Sequence, residues 1–270
     1  MNKEFLKRTL PVIVFILFLI PVATSSLLDL EQKKANELIS QRQKAEEEAE
    51  DRIYLMGKFD PAQRDDFILI PVEYTTDGNK KYLRKETYGA YLEMQKIAKM
   101  DGVELKIASA TRNFDYQKNI WNNKWNSYTL VDDQYLSKTI PDGLEIFKKI
   151  LEYSAVPGTS RHHFGTDIDI NNANPQYFNE ESGKKVYDWL TKNAPLFGFC
   201  QTYNLKGSER LTGYNEEKWH WSYLPIAKEL TQKYKKLIKE EDIKGFLGEE
   251  YVPFLNLIND YVLSINPDCI

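Results

Sequence analysis

The spacing of apolar residues along the chain predicts a mixture of helices and short strands. Between Tyr88 and Ala98 the apolar side chains recur at three- and four-residue intervals, which indicates an amphipathic helix that Asp101-Gly102 ends. From Val103 to Ile107 they alternate with polar residues instead, as in a half-buried strand. Another helical pattern ends at Leu151 and leads into a stretch rich in Gly, His and Asp.

The second half of the chain continues this mixture. Residues 197–204 and 218–224 are two predicted strands, joined by a hairpin around Gly207. Beyond residue 225 the pattern predicts two further amphipathic helical segments, interrupted near residues 245–248. Because helices and hairpin strands are mixed without strict alternation, the predicted fold class is α+β.

The N-terminal residues have the order of an export signal, with basic residues, an apolar run at 10–23 and then small residues. The run is shorter than the roughly 20 residues that cross a bilayer comfortably. Residues 1–25 are therefore predicted to be a signal peptide, and membrane anchoring through residues 10–23 is the alternative. Either interpretation exports the body of the protein to the periplasm or cell envelope. Residues 26–55, rich in Glu, Lys, Gln and Ala, are predicted to form a charged helical linker.

The net charge bears on the class of binding partner, and the cysteine content bears on the cellular compartment. The net charge is −4 and no basic patch stands out, which argues against a nucleic-acid partner. The two cysteines, Cys200 and Cys269, fit an oxidising compartment and are candidates for a disulfide. Two free buried thiols are the alternative. Neither cysteine has metal-ligand spacing to another.

Candidate chemistry is concentrated in two stretches. The first, PGTSRHHFGTDIDI at residues 157–170, contains His162 and Asp169, and the second contains Glu217 and His220. Catalytic zinc takes three nitrogen or oxygen ligands and leaves a position for water, with a carboxylate nearby to take the proton. These residues therefore predict a zinc hydrolase that binds one Zn²⁺ through His162, Asp169 and His220. Glu217 is the predicted general base.

The predicted strands determine on which face each candidate carboxylate lies. On a strand, Asp167 and Asp169 share one face. Glu217, three residues before His220, points away from it unless the chain bends there. Arg112 is a candidate for stabilising the oxyanion or for binding a substrate carboxylate, and a surface salt bridge is the alternative. His163 is predicted to be a packing residue or one that supports a metal ligand.

These residues resemble the signatures of a known family. Ser160-x-His162-x-x-Gly165 followed by Asp169 resembles the S-x-H-x-x-G-x-A-x-D signature of VanY-type D-alanyl-D-alanine carboxypeptidases, and Glu217-Lys-Trp-His220 resembles their E-x-W-H signature. Ser109-Ala-Thr-Arg112 through Gln117 is similar to their S-G-Y-R-S-x-x-x-Q segment. The three segments occur in family order, within a domain expected at residues 56–234.

The resemblance implies a small central antiparallel sheet flanked by helices, to which this chain adds N- and C-terminal helices, the latter in an extension at residues 235–270. It implies the same zinc ligands and base, with Arg112, Ser160 and Gln117 in the substrate site. The implied substrate is a peptidoglycan stem peptide ending in D-Ala-D-Ala, which loses its terminal D-Ala. The alternatives are a related zinc dipeptidase or endopeptidase and, in another class, a non-catalytic wall-binding protein. Asp167 departs from the signature, which has Ala at that position.

Overall fold

The computed structural model describes the backbone from Lys3 to Ile270 and the side chains from Asp29 onward. The chain separates into two compact units, Met1–Glu50 and Asp51–Ile270. The predicted signal peptide or anchor lies outside the described side chains. Among the helices that the structure describes, none is long and apolar enough to span a membrane. The predicted domain boundaries at residues 56 and 234 stay a prediction.

The elements alternate irregularly between helix and strand. The helices are α1 (Lys3–Leu55), α2 (Lys85–Met100), α3 (Phe114–Trp125), α4 (Leu136–Thr139), α5 (Gly143–Leu151), α6 (Glu181–Asn193) and α7 (Leu224–Leu237). The strands are β1 (Phe67–Leu69), β2 (Tyr82–Arg84), β3 (Ile107–Ser109), β4 (Asp167–Ile170), β5 (Phe199–Gln201) and β6 (His220–Tyr223). The predicted helix at Tyr88–Ala98 lies within α2. The strand predicted from Val103 to Ile107 begins only at Ile107, as β3.

A four-stranded sheet in the order β3-β4-β6-β5 lies at the centre, and every neighbouring pair is antiparallel. β1 and β2 form a separate antiparallel pair. The predicted α+β class with a small antiparallel sheet is therefore confirmed. β5 and β6 come from the two segments predicted to form a hairpin.

The sheet has one apolar face and one polar face because its side chains alternate. Ile168 and Ile170 of β4 and Trp221 of β6 are buried in one core cluster together with residues of α2 and α6. Asp167 and Asp169 therefore lie on the opposite face, as the sequence pattern predicts. On β6, Asp169 is directly opposite His220, and Asp167 is opposite Ser222.

A second core cluster contains residues of α3, α5 and α7 and of the C-terminal segment. Its centre is aromatic, with the Trp121 ring centroid 4.8 Å from that of Phe147 and 5.8 Å from that of Phe246. Beyond α7 the chain forms short 3₁₀ and π turns in place of a second long helix, because Gly and Pro recur there. Cys269 in the last turn is bonded to Cys200 of β5, with a Cα–Cα distance of 5.7 Å.

Candidate metal centre

His162 is placed by a tight turn at the polar face of the sheet. A 3₁₀ turn, Arg161–Phe164, ends at Gly165, whose φ of +73° lies in the left-handed region that glycine accepts without strain. The chain then enters β4, so that His162 comes back beside Asp169. Its Nδ1 lies 2.8 Å from the carbonyl oxygen of Ala110, to which it donates. Nε2 is left to face the carboxylate of Asp169, at 3.3 Å from Oδ1.

His162, Asp169 and His220 form the one group of potential metal ligands found in the described part of the chain, and all three are buried. The Nδ1 atom of His220 lies 3.6 Å from Asp169 Oδ1. Ligand atoms about 2.1 Å from a tetrahedral zinc ion lie about 3.4 Å apart. The spacing of these atoms therefore fits zinc.

Two of these ligand atoms are buried without any compensating bond. Among the residues with described side chains, His162 Nε2 and Asp169 Oδ1 have no hydrogen-bond partner. Buried polar atoms are normally paired, because leaving one unpaired costs about 1–3 kcal/mol. A cation between these atoms would satisfy both, and the choice of two imidazoles and one carboxylate is a usual donor set for catalytic zinc. The residues present therefore fit the metal.

Glu217 lies against His220 because the chain bends between them. The amide of His220 donates to the carbonyl of Glu217 over 3.2 Å, which closes a turn before β6 begins. The turn brings Oε2 of Glu217 to 3.0 Å from Nδ1 of His220. The bend required by the sequence argument is present, and the carboxylate is buried beside the metal ligands.

Arg112 follows β3 and reaches the same group. Its Nη2 lies 3.6 Å from Asp169 Oδ2, and its amide donates to the carbonyl of His162 over 3.2 Å. The carbonyl of Arg112 accepts a 2.6 Å hydrogen bond from Nδ1 of His163. Nε2 of His163 in turn accepts from the amide of Gly158 over 3.0 Å. Both ring nitrogens of His163 are thus occupied by the backbone, and this histidine positions the chain instead of binding a metal.

The two predicted substrate residues are both buried. Gln117 on α3 donates from Nε2 to the carbonyl of Ala155 over 2.7 Å, and its Oε1 has no partner among the described residues. Ser160 immediately precedes the turn that contains His162. Their contact with a substrate stays a prediction.

The electrostatics of the site follow from burial and from close opposite charges. Burial raises the pKa of Asp169, but the neighbouring His162 outweighs this and lowers it to about 2. Burial alone lowers the pKa of His220, whereas its hydrogen bonds with Asp167 and Glu217 raise it to about 9. Burial raises the pKa of Glu217. Three buried carboxylates thus surround the two imidazoles, which favours a bound cation.

Sequence reasoning missed several residues around the site. The ring of Tyr203 packs on that of His220 with centroids 4.9 Å apart, and Tyr214 packs on Tyr203 at the same distance. Lys124 donates to Ser154 Oγ, and burial and then the charge of Arg112 lower its pKa. Lys124 stands seven residues after Gln117 and therefore on the same helix face. That spacing is a signal that could have identified it.

The fold and the site define a class of protein, a zinc peptidase-like α+β domain, and comparisons with known proteins identify the family. The family described as VanY, D-alanyl-D-alanine carboxypeptidase, matches residues 80–226. This match covers more than half of the chain, and the chain belongs to this family. The family predicted from the three motifs is confirmed.

The chain is also similar to two curated relatives and to one solved structure. The chain is 30% identical over 193 residues to the protein YodJ of Bacillus subtilis, and 31% identical over 166 residues to a D-alanyl-D-alanine carboxypeptidase of Enterococcus faecalis. These matches span 70% and 62% of this chain but only 61% and 55% of the two relatives. A solved structure of the D,D-pentapeptidase VanY in complex with Zn(II) is 27% identical, with a TM-score of 0.44 over 71% of this chain and 92% of that one.

Proposed function

We propose that this protein is an exported zinc-dependent D-alanyl-D-alanine carboxypeptidase that removes the terminal D-Ala of peptidoglycan stem peptides. The observation that carries the proposal is the convergence of His162, Asp169 and His220, with two orphaned ligand atoms, beside the buried Glu217. The disulfide between Cys200 and Cys269 supports export, because such bonds persist in oxidising compartments. His162, Asp169 and His220 would hold the zinc ion.

The roles of the residues follow from charge. Zinc, when bound, supplies the Lewis acidity that hydrolysis of an amide requires. Glu217 accepts a proton from the attacking water as the water oxygen bonds to the carbonyl carbon. It then gives that proton to the leaving nitrogen as the C–N bond breaks, so that D-Ala leaves as a neutral amine. Burial raises the pKa of Glu217, which makes its ionised carboxylate a stronger base for accepting the proton in the first step.

Arg112 supplies the positive charge that the chemistry needs near the reacting carbonyl. Its guanidinium lies beside Asp169 and keeps its Nε free of any partner among the described residues. It stabilises the negative charge on the carbonyl oxygen or binds the carboxylate of the terminal D-Ala. Ser160 and Gln117 contribute polar groups to the substrate site.

The test uses two variants of adjacent carboxylates, Glu217→Gln and Glu216→Gln. Zinc content and D-Ala released from a pentapeptide ending in D-Ala-D-Ala are measured for the purified protein and both variants. We expect one zinc per chain in all three and a loss of D-Ala release of about 100-fold or more in Glu217→Gln alone. Glu216 is the control because its carboxylate faces Tyr187 and Lys218 instead of the metal ligands.

Other outcomes separate the alternatives. Hydrolysis of the free dipeptide or of a cross-link in preference to the pentapeptide would assign a related dipeptidase or endopeptidase. Zinc binding without hydrolysis of any of these substrates would refute the proposed reaction. A chain that binds no zinc would refute the enzyme and leave a wall-binding protein.

A further inference from the structure

Asp167 is a fully buried carboxylate next to the metal ligands, at the position where the family signature has Ala. It lies two residues before Asp169 on β4 and therefore on the same face of the strand. Across the ladder it is opposite Ser222, and His220 is diagonal to it. The proposed reaction assigns no role to this charge.

Four donors surround the carboxylate of Asp167. Oδ1 accepts from Arg161 Nε over 3.1 Å and from His220 Nε2 over 2.9 Å. Oδ2 accepts from Thr166 Oγ1 over 2.7 Å and from Ser222 Oγ over 3.0 Å. With all its acceptor sites turned towards donors, the carboxylate is ionised and rigidly oriented.

Arg161, the cation paired with Asp167, uses only one of its guanidinium nitrogens for this pair. It meets Asp167 through Nε alone, whereas arginine–carboxylate pairs frequently form two parallel bonds. Its other nitrogens donate elsewhere, Nη1 to Thr231 over 2.8 Å and Nη2 to Ser222 over 2.9 Å. Oδ1 of Asp167 therefore keeps one lone pair for the imidazole of His220.

The hydrogen bond to Asp167 determines which nitrogen of the His220 imidazole can bind a metal. A carboxylate has no proton to donate, so the bond at 2.9 Å requires the hydrogen on Nε2 of His220. Nδ1 is then the nitrogen left to bind a cation, and it lies 3.6 Å from Asp169 Oδ1. The same nitrogen also lies 3.0 Å from Oε2 of Glu217, so zinc and a proton compete for it. Carboxylates that hold metal-binding histidines in this way fix the tautomer and make the ring a stronger ligand.

We propose that Asp167, held by Arg161, is a positioning residue that fixes His220 in the tautomer and orientation with Nδ1 directed at the zinc. This inference rests on the proposed zinc site. The ring of Tyr203 also restrains His220, but a ring contact does not distinguish its two nitrogens. Two carboxylates contact this ring, Glu217 at the ligand atom Nδ1 and Asp167 at Nε2, so Asp167 is the one that holds a hydrogen on the nitrogen away from the metal.

The experiment measures the affinity for Zn²⁺ alone, by competition with a chromophoric chelator. The central variant is the pair Arg161→Met with Asp167→Ala, because it removes both buried charges together and so avoids an unpaired one. We expect its zinc affinity to fall by about 10- to 100-fold. Asp167→Asn keeps an acceptor for His220 at Oδ1 while losing the charge, and its affinity should lie between that of the double variant and that of the wild type.

Asp242→Ala is the matched control. It removes a salt-bridged carboxylate, here with Arg52 at 3.1 Å, that contacts no metal ligand. Its unfolding midpoint should decrease while its zinc affinity stays at the wild-type value. Wild-type zinc affinity in the folded double variant would overturn the inference, and so would an equal loss in Asp242→Ala. A wild-type chain that fails to bind zinc would instead refute the proposed metal site itself.

Discussion

Replacing Gly165 with Ala tests how the fold places His162. Gly165 has a φ of +73°, and a Cβ there would lie 2.5 Å from Cε1 and 2.6 Å from Cζ of Phe67. The left-handed conformation costs a residue with a Cβ about 1–2 kcal/mol. Overpacking a buried ring adds about 1–3 kcal/mol. We therefore expect Gly165→Ala to lower the free energy of unfolding by about 2–5 kcal/mol.

Gly78→Ala separates the two contributions. Gly78 has nearly the same φ, +69°, but a Cβ there would meet nothing within 4 Å. This variant should lose only the conformational part, about 1–2 kcal/mol. Denaturant unfolding of both variants, without added metal, measures the difference, which is the contribution of the contacts with Phe67 and with Cγ of Arg84 at 3.0 Å.

The same substitution should weaken zinc binding, because Gly165 ends the turn that carries His162. Phe67→Leu combined with Gly165→Ala should recover part of both losses, since a smaller side chain leaves room for the new methyl group. Equal destabilisation by Gly165→Ala and Gly78→Ala would refute the reasoning. So would an unchanged zinc affinity in a destabilised Gly165→Ala protein.

Three further predictions concern the bridge, the two neighbouring histidines and the metal. Replacing both Cys200 and Cys269 with Ala removes a disulfide between residues 69 positions apart. Loop entropy then predicts that the free energy of unfolding, measured with denaturant, falls by about 4.4 kcal/mol. His163→Leu should keep one zinc per chain but lose about 1–3 kcal/mol of stability because the Gly158 amide is left unpaired, whereas His162→Leu should lose the zinc. A chelator should lower the unfolding temperature of the zinc-loaded protein, by an amount equivalent to about 2.7 kcal/mol if zinc was present at 100 times its Kd. Unchanged stability of the Cys200 and Cys269 double variant would contradict the first prediction. A His163→Leu protein that binds no zinc would contradict the second. An unfolding temperature that the chelator does not change would contradict the third.

Local patterns were sufficient for most of the elements and for the list of candidate residues. The helix from Tyr88 to Ala98 and the alternation in β4 follow from periodicity, because burial on one face imposes it. Spacing within the chain also placed His162 and Asp169 on either side of a glycine turn. Boundaries were less predictable: the strand expected from Val103 pairs only from Ile107, since pairing depends on the length of the neighbouring strand.

The sequence by itself determined which side chains can carry the chemistry, because residue type sets charge, ligand capacity and face along an element. Only the tertiary structure decided which of the two nitrogens of His220 faces the other ligands, and that Asp167 is tied to Arg161 and His220. It also decided that Lys124 and Tyr203 lie beside the site. These relations join residues far apart in the chain, such as Arg161 and Ser222, 61 positions apart, and Arg161 and Thr231, 70 positions apart. They arise from the register of β4 on β6 and from the packing of α7, which no local pattern specifies.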